Sequence, residues 1–526
     1  MLQAHHHQAI ARGDLDGLHQ ELCKLKNPAS RGVLPGYNAF DALLTLGKYF
    51  LEFGYCSDAE LCFKEAAVLR ANDVRPLLNL ANIYTQWGDH AKARGIYEAL
   101  IQHGSTHAVV RRGLILCNEY DSSASVEMRG NAVSEWTDWT RQLTGEPSIP
   151  RPPLRPSLQT IGYLSADFCQ HTVGLLFRGV LAHHDLDRFT IVCYYSGSVY
   201  DWVTSEIQAR VVFRDVSKLS TLELAAQIRA DAIDVLVDLS GHTSGSRVEV
   251  MALRPAPIQL SWLGYFSSVG LSSLDAVLMD APHCTPAIES QFNEPIVKLR
   301  SGRLPFTPVP WTTSVSHPPA KANGYITYGS FNNTAKYSKE VLELWAELLR
   351  RNPTSKLVLK WRTFQDPSFR ARVTKIFASL GVLGSQLELR GMSFHVDVLK
   401  QYADIDICLD TFPFSGGLTS LEALNQGVPV ITLPSADRAV SRQTFAFYQL
   451  MGYTKCIASN EADYIVRAER LGYDIEQLAN ERQWLRQRLE QAPFCQLNQY
   501  TKELEGTYQS IYEGVKENES GQISDP

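Results

Sequence analysis

No run of about 18 consecutive apolar residues occurs in this chain of 526, and its first residues, MLQAHHHQAIARGDLDGL, hold no apolar signal core. A membrane-spanning helix is therefore not expected, and the expected compartment is the cytoplasm. Positive charge is also scarce: 50 Lys and Arg stand against 56 Asp and Glu, a formal net charge of -6 with a pI near 6.2. A protein that coats nucleic acid or an anionic membrane needs the reverse balance, so neither partner is expected. Local basic clusters can still hold a phosphorylated small molecule. The ten cysteines include no C-x-x-C pair, which argues against a zinc site or a disulfide framework and leaves most of them as small buried apolar residues. There is no P-loop and no G-x-G-x-x-G. The nearest approach to G-x-S-x-G is Gly241-His242-Thr243-Ser244-Gly245, with threonine at the nucleophile position.

What the chain has in quantity is ordinary core material, 44% hydrophobic residues, spread over a length that implies about three domains. Residues 41–70 laid over 75–104 match at a period of 34: Leu43 on Leu77, Leu46 on Leu80, Gly47 on Ala81, Phe50 on Tyr84, Gly54 on Gly88, Ala59 on Ala93, Phe63 on Tyr97. That is the tetratricopeptide spacing, in which small residues let antiparallel helices approach and the glycine ends the first helix at positive φ. Residues 5–24 read as a degenerate preceding pair with Gly13-Asp14 at its turn, and 108–120 as a following helix. The expected divisions are helical repeats over 1–125, a linker over 126–157 that includes the proline-rich Pro147–Pro156, two catalytic lobes over 158–310 and 311–515, and a disordered tail over 516–526.

Beyond the linker, short apolar runs alternate with helix-like stretches, as in two doubly wound α/β units. Strands are expected at Thr160–Leu164, Phe189–Tyr195, Val235–Asp238, Ile258–Trp262 and Ala276–Met279. A second set follows at Ile326–Phe331, Lys356–Lys360, Leu387–Arg390, Ile407–Leu409 and Val428–Leu433. The fold class is thus α/β, with two Rossmann-like lobes facing a cleft behind an α-helical repeat domain. Ligands of such sheets bind beyond the carboxyl ends of the strands.

The polar clusters fall at those ends. Asp167 and His171 follow the first strand, Gly241-His242-Thr243 the strand at Val235, and Asn332, Asn333 and Lys336 the strand at Ile326. The loop DTFPFSGGLTS, Asp410–Ser420, opens a helix. There Gly416-Gly417 permit outward amides, Thr419-Ser420 suit an N-cap, and free amides at a helix start suit a pyrophosphate. Glu422, one turn in, has the reach to accept from ribose hydroxyls. A fixed cation such as Lys336 stabilises a leaving diphosphate more than its ground state. His171 suits a general base or the orientation of an acceptor, or else the cap of the next helix. Asp404-x-Asp406 leads straight into a strand, and a structural role fits it better than a metal. No metal and no cofactor beyond a nucleotide sugar are expected.

In GYLSADFCQH (Gly162–His171), DLSGHT (Asp238–Thr243), RPAPIQLSWLG (Arg254–Gly264), YGSFNNTAK (Tyr328–Lys336) and Cys408–Pro429, the chain resembles the O-GlcNAc transferase and SPINDLY family over about residues 40–515. The resemblance implies a GT-B fold and an inverting, metal-independent sugar transfer to serine or threonine of proteins. The acceptor would lie along the repeats and the cleft. In the same terms, His171 corresponds to the family's active-site histidine, Lys336 and Asn333 to its donor contacts, and Gly416, Gly417, Thr419 and Ser420 to its phosphate loop. Glu422 corresponds to the ribose carboxylate, and His242 to a cleft-facing residue in the catalytic set. Leu418 departs from the family's phosphate-contacting threonine, Gly417 from the histidine of the animal enzymes, and Ser267 and Val269 from its G-Y-P-x-T-T/S-G loop. UDP-GlcNAc is the favoured donor. The resemblance leaves open a protein O-fucosyltransferase using GDP-fucose, an N-glucosyltransferase acting on asparagine, and an inactive repeat scaffold.

Overall fold

The computed structural model describes residues 15–26, 38–144 and 149–522. After α1 (Leu15–Lys26), helices α2 (Ala39–Glu52), α3 (Cys56–Leu69), α4 (Val74–Gln86) and α5 (His90–Gln102) form two antiparallel pairs with the expected register. Gly54 and Gly88 end the first helix of each pair at φ +86° and +74°. At Gly47 a Cβ would stand 2.6 Å from the Phe63 ring, which is why only a small residue fits where the pair closes. Residues 5–14, read as the start of a degenerate pair, lie outside the described residues.

A third pair follows, α6 (Ala108–Tyr120) and α7 (Val126–Thr144). All of α7 lies in the stretch expected to be a linker. Arg129, Ala132, Trp136 and Thr140 recur at helical spacing and are all buried, so this segment is an amphipathic helix packed on α6 and on the first lobe. The Ser125 hydroxyl accepts from the Met128 amide at its start.

The first lobe is a seven-stranded sheet, parallel at every pairing, in the order β3-β2-β1-β4-β5-β6-β7. Its strands are β1 (Thr160–Ser165), β2 (Thr190–Tyr195), β3 (Val212–Asp215), β4 (Val235–Asp238), β5 (Ile258–Ser261), β6 (Ala276–Met279) and β7 (Ile296–Lys298). The strands β3 and β7 were not expected. The first is an exposed edge strand without an apolar face, and the second is three residues long.

The second lobe holds β8 (Thr327–Ser330), β9 (Lys356–Lys360), β10 (Leu387–Arg390), β11 (Ile407–Leu409) and β12 (Val430–Ile431), in the order β10-β9-β8-β11-β12, again parallel. In each sheet the direction of winding reverses beside its first strand, between β1 and β4 and between β8 and β11. At such a switch point the loops beyond the strands part and leave a crevice.

Helix α8 (Thr172–Leu181) follows β1, α9 (Leu418–Asn425) follows β11, and α10 (Leu497–Gln522) ends the described chain. Residues 516–522, expected in a disordered tail, continue α10. Tyr500, Leu504, Tyr508 and Tyr512 recur at helical spacing and are buried, and α10 packs on α8 of the first lobe. There Glu505 Oε1 accepts from His184 Nδ1 at 2.8 Å and from the Asp185 amide at 2.9 Å. The Tyr512 hydroxyl donates to the Arg155 carbonyl at 2.8 Å. Among the described residues no helix is long and apolar enough to cross a membrane.

Candidate active site

The loops after β8 and β11 meet at the second lobe's switch point. After β8, Asn333 caps a short turn over Thr334–Lys336, its Oδ1 accepting from the Ala335 amide at 3.0 Å. The turn aims the Lys336 ammonium across the crevice. It donates to the Ser415 carbonyl at 2.8 Å, approaches Asn332 Oδ1 at 3.4 Å and sits 4.7 Å from the centre of the Phe414 ring. Burial lowers its pKa to about 8, against an opposing pull from Asp410.

Asp410, fully buried at the end of β11, shapes the facing loop. Its Oδ1 accepts from the amides of Thr411 at 2.9 Å and Gly416 at 2.6 Å, and its Oδ2 accepts from the Thr432 hydroxyl at 2.8 Å. The Gly416 amide therefore points inward, contrary to expectation. The amides left without an acceptor among the described residues are those of Gly417, Leu418 and Thr419, at the start of α9. Thr419 and Ser420 are not caps: Gly417 holds the cap position and they lie within the first turn. Thr419 Oγ1 donates to Asn332 Oδ1 at 2.9 Å, and Ser420 Oγ accepts from Thr444 at 2.8 Å. Side-chain ends crowd both glycines. A Cβ on Gly416 would lie 2.1 Å from Ser420 Oγ, and one on Gly417 would lie 2.7 Å from Gln443 Oε1.

Glu422, one turn along α9, receives a hydrogen bond from His395 Nε2 at 2.6 Å. Burial of His395 opposes its protonation, and the Glu422 bond and charge outweigh that and raise its pKa. The edge of Trp311 packs on the same imidazole at 5.8 Å. Sequence reasoning missed His395 and weighed Asn333 above Asn332. His395 lies 27 residues before Glu422 and in no recognisable motif. Asn332 Oδ1 links Lys336 to Thr419, while Asn333, expected to contact the donor, caps the turn.

In the first lobe, His171 caps α8, its Nδ1 accepting from the Val173 amide at 3.4 Å and lying 3.5 Å from Asp167 Oδ1. Its side chain is 51% exposed, and Nε2 meets no partner among the described residues. His171 shares no bond with the Lys336 group and stands in the first lobe, beyond the end of β1.

His242 is placed otherwise than expected. At 1% exposure it reaches no open face. Its ring lies edge-on between Trp136 at 5.1 Å and Tyr265 at 5.0 Å, and its Nε2 is bonded to the Val269 carbonyl at 3.0 Å. Burial, reinforced by Arg112, lowers its pKa to about 3 and keeps it neutral. The helix α7, expected as linker, supplies the tryptophan that closes it off. Of the Asp404/Asp406 pair, Asp404 is ion-paired to Arg390 at 2.7 Å, and Asp406 accepts from the amides of Ala320 and Thr327.

Three parts of the chain converge beneath Lys336. Tyr120, the last residue of α6, stacks on Phe414 at 4.5 Å and 14°. Phe266, from the loop after β5, meets the same ring edge-on at 5.3 Å. The site is thus a cation and three free amides around one crevice, floored by aromatic rings and flanked by a carboxylate–imidazole pair.

A family profile described as Glycosyl transferase family 41 matches residues 155–302 and 314–504. Among curated relatives, a Petunia hybrida protein named probable UDP-N-acetylglucosamine--peptide N-acetylglucosaminyltransferase SPINDLY is 34% identical over 358 residues, 67% of this chain and 38% of that one. A Caenorhabditis elegans UDP-N-acetylglucosamine--peptide N-acetylglucosaminyltransferase is 24% identical over 442 residues, covering 61% of this chain and 38% of its own. The chain spans about two fifths of the length of the curated relatives it matches. Among solved structures, a Thermobaculum terrenum O-GlcNAc transferase mutant superposes with a TM-score of 0.85 at 29% identity, covering 91% of this chain and 92% of that one. The two facing parallel sheets, the helical module before them and these matches agree: the fold is GT-B with an N-terminal repeat domain, and the chain belongs to glycosyl transferase family 41.

Proposed function

We propose that this chain transfers N-acetylglucosamine from UDP-GlcNAc to serine or threonine hydroxyls of a protein, inverting the anomeric carbon and using no metal. The observation that carries the reading is the Lys336 ammonium held 2.8 Å from the Ser415 carbonyl, two residues before the first of three free amides. A diphosphate in this crevice replaces that carbonyl as the partner of Lys336 and takes the amides of Gly417, Leu418 and Thr419 at the positive end of α9. The acceptor hydroxyl forms its bond to C1 and gives up its proton to Nε2 of His171, in the tautomer whose Nδ1–H faces Asp167, as the bond from C1 to the diphosphate oxygen breaks. The charge that develops on that oxygen is met by groups already in place. His171 of the first lobe also orients the acceptor, while Glu422 with His395 takes the ribose. Asn333 acts by capping the Lys336 turn. The names of the curated relatives and of the superposed structure support UDP-GlcNAc as donor and a peptide as acceptor.

Leu418 is the feature that favours an inactive scaffold. Its backbone amide is nonetheless among the three free ones, so what the substitution removes is a hydroxyl.

A panel of nucleotide sugars tests the reading by hydrolysis and thermal stabilisation, with mass spectrometry of a peptide mixture after incubation. Stabilisation by UDP-GlcNAc and a HexNAc mass on serine or threonine is the expected result. Response to GDP-fucose alone, or modification of asparagine, replaces the donor or the acceptor. No response to any nucleotide sugar, or to UDP and GDP, leaves the scaffold.

A further inference from the structure

The turn that carries Lys336 is held from outside the lobe it belongs to. His90, the first residue of α5, bonds through Nε2 to the Ala335 carbonyl at 2.8 Å, across 245 residues of sequence. Beside it, the Thr334 hydroxyl donates to the Gln86 carbonyl at the end of α4 at 2.7 Å. The two residues just before Lys336 are thus tied to the repeats, with Thr334 also sharing a hydrogen bond with Thr363 of its own lobe at 2.9 Å. The same imidazole also stacks on Tyr120 at 6.2 Å and 15°, and Tyr120 stacks on Phe414, over which the ammonium sits. One side chain therefore touches both the backbone before the lysine and the column of rings beneath it. Burial lowers the His90 pKa and favours the neutral imidazole; because the Ala335 carbonyl can only accept, Nε2 is the nitrogen that carries the proton.

The surrounding contact is firm. Arg372 pairs with Asp89 through two bonds, at 2.9 and 2.6 Å. Trp87 stacks on Phe369 at 6.4 Å and 8°, and the Ser57 amide donates to Asp366 at 2.6 Å. At Gly88, already at positive φ, a Cβ would stand 2.9 Å from the Tyr337 carbonyl, so the repeat turn and the Lys336 turn meet backbone to backbone. An acceptor platform needs no such contact with the donor lysine.

We propose that His90 is a positioning residue for sugar transfer, which makes the repeat module part of the donor site. The inference rests on the role given to Lys336 above. It is tested on the whole chain with UDP-GlcNAc hydrolysis and UDP calorimetry, neither of which needs an acceptor protein. His90→Phe keeps a ring for Tyr120 and removes the donor to Ala335. Its kcat is expected to fall about tenfold, the loss of one buried hydrogen bond, with a smaller change in KM because Lys336 acts most strongly on the leaving group. The alkaline limb of its pH profile is expected to move as well. His90→Gln, which places an N–H near the lost Nε2, is expected to recover kcat to within about threefold. Thr334→Val, altered from the lobe side, is expected to fall in the same sense and covers the case in which His90→Phe does not fold.

Wild-type kcat in folded His90→Phe overturns the proposal. So does equal loss in the Phe and Gln variants with an unmoved pH profile, which is what a purely structural contact would give. Lys336→Met separates the two levels of reasoning. If it turns over like the wild type, the donor reading fails and this inference with it; if it is inactive while His90→Phe is normal, only the positioning role fails.

Discussion

Replacing Lys336 by methionine removes the cation and keeps nearly the same length of chain. A unit charge about 4 Å from a phosphate oxygen, at an effective dielectric of about 20, is worth about 4 kcal/mol before competing partners are counted. Lys336 already has such a partner in the Ser415 carbonyl, so about 2–4 kcal/mol of transition-state stabilisation is the expected loss, or about 30- to 1000-fold in kcat/KM.

The fold should not suffer. Burial places the lysine pKa near 8, below its ordinary value of 10.5, so at neutral pH the native state carries the cost of a charge it resists. Methionine relieves that cost, and the melting temperature should hold or rise. In the wild type the free site loses its proton as pH climbs through about 8, while a bound diphosphate stabilises the charged form. UDP affinity should therefore be level below that pH and fall by up to about tenfold per unit above it, with proton uptake on binding. Calorimetry from pH 6.5 to 9.5 in buffers of different ionisation heat, with steady-state turnover of both proteins, measures each quantity. Wild-type turnover in Lys336→Met, or the same alkaline decline of UDP affinity in that variant, refutes the reasoning.

Gly416→Ala forces a Cβ to within 2.1 Å of Ser420 Oγ; a calorimetric loss of UDP affinity of about tenfold or more is expected, with about 1–3 kcal/mol of destabilisation. His242→Ala should cost about 2–4 kcal/mol in urea unfolding through the cavity left between Trp136 and Tyr265, yet keep kcat per folded molecule. In Glu505 burial raises the pKa, but the bonds from His184 and Asp185 outweigh it, so the net shift is downward. Its contribution is complete above the ordinary carboxylate pKa and is lost as pH falls through the lower native value. Glu505→Gln should be less stable than wild type by about 1–2 kcal/mol at pH 7, with the gap narrowing toward pH 3 in chemical denaturation.

The repeats and most strands were legible because their signals are local: a 34-residue period, and short apolar runs between turn residues. The two glycine C-caps follow from the same kind of signal. The loops after β8 and β11 could be singled out because topology puts the crevice there. What could not be read depends on distant partners. His242 sits in a polar loop that looks catalytic until Trp136 covers it, and Trp136 lies on a helix grouped with the proline-rich linker after it. The Gly416 amide looked free because Asp410 turns back on it only in three dimensions. His395 gains meaning only when α9 sets Glu422 against it.

The last helix of the chain spends its apolar face on the lobe made first. Tyr163 and Trp262, deep in that first lobe, meet Tyr508 and Tyr500 respectively. A fragment stopped near residue 310 would leave those aromatic side chains facing water, and one begun there would carry a helix with nothing to lie on. The two halves of the chain are therefore not separable goods: severed near residue 310, each is expected to aggregate, and only co-expression should restore a soluble pair.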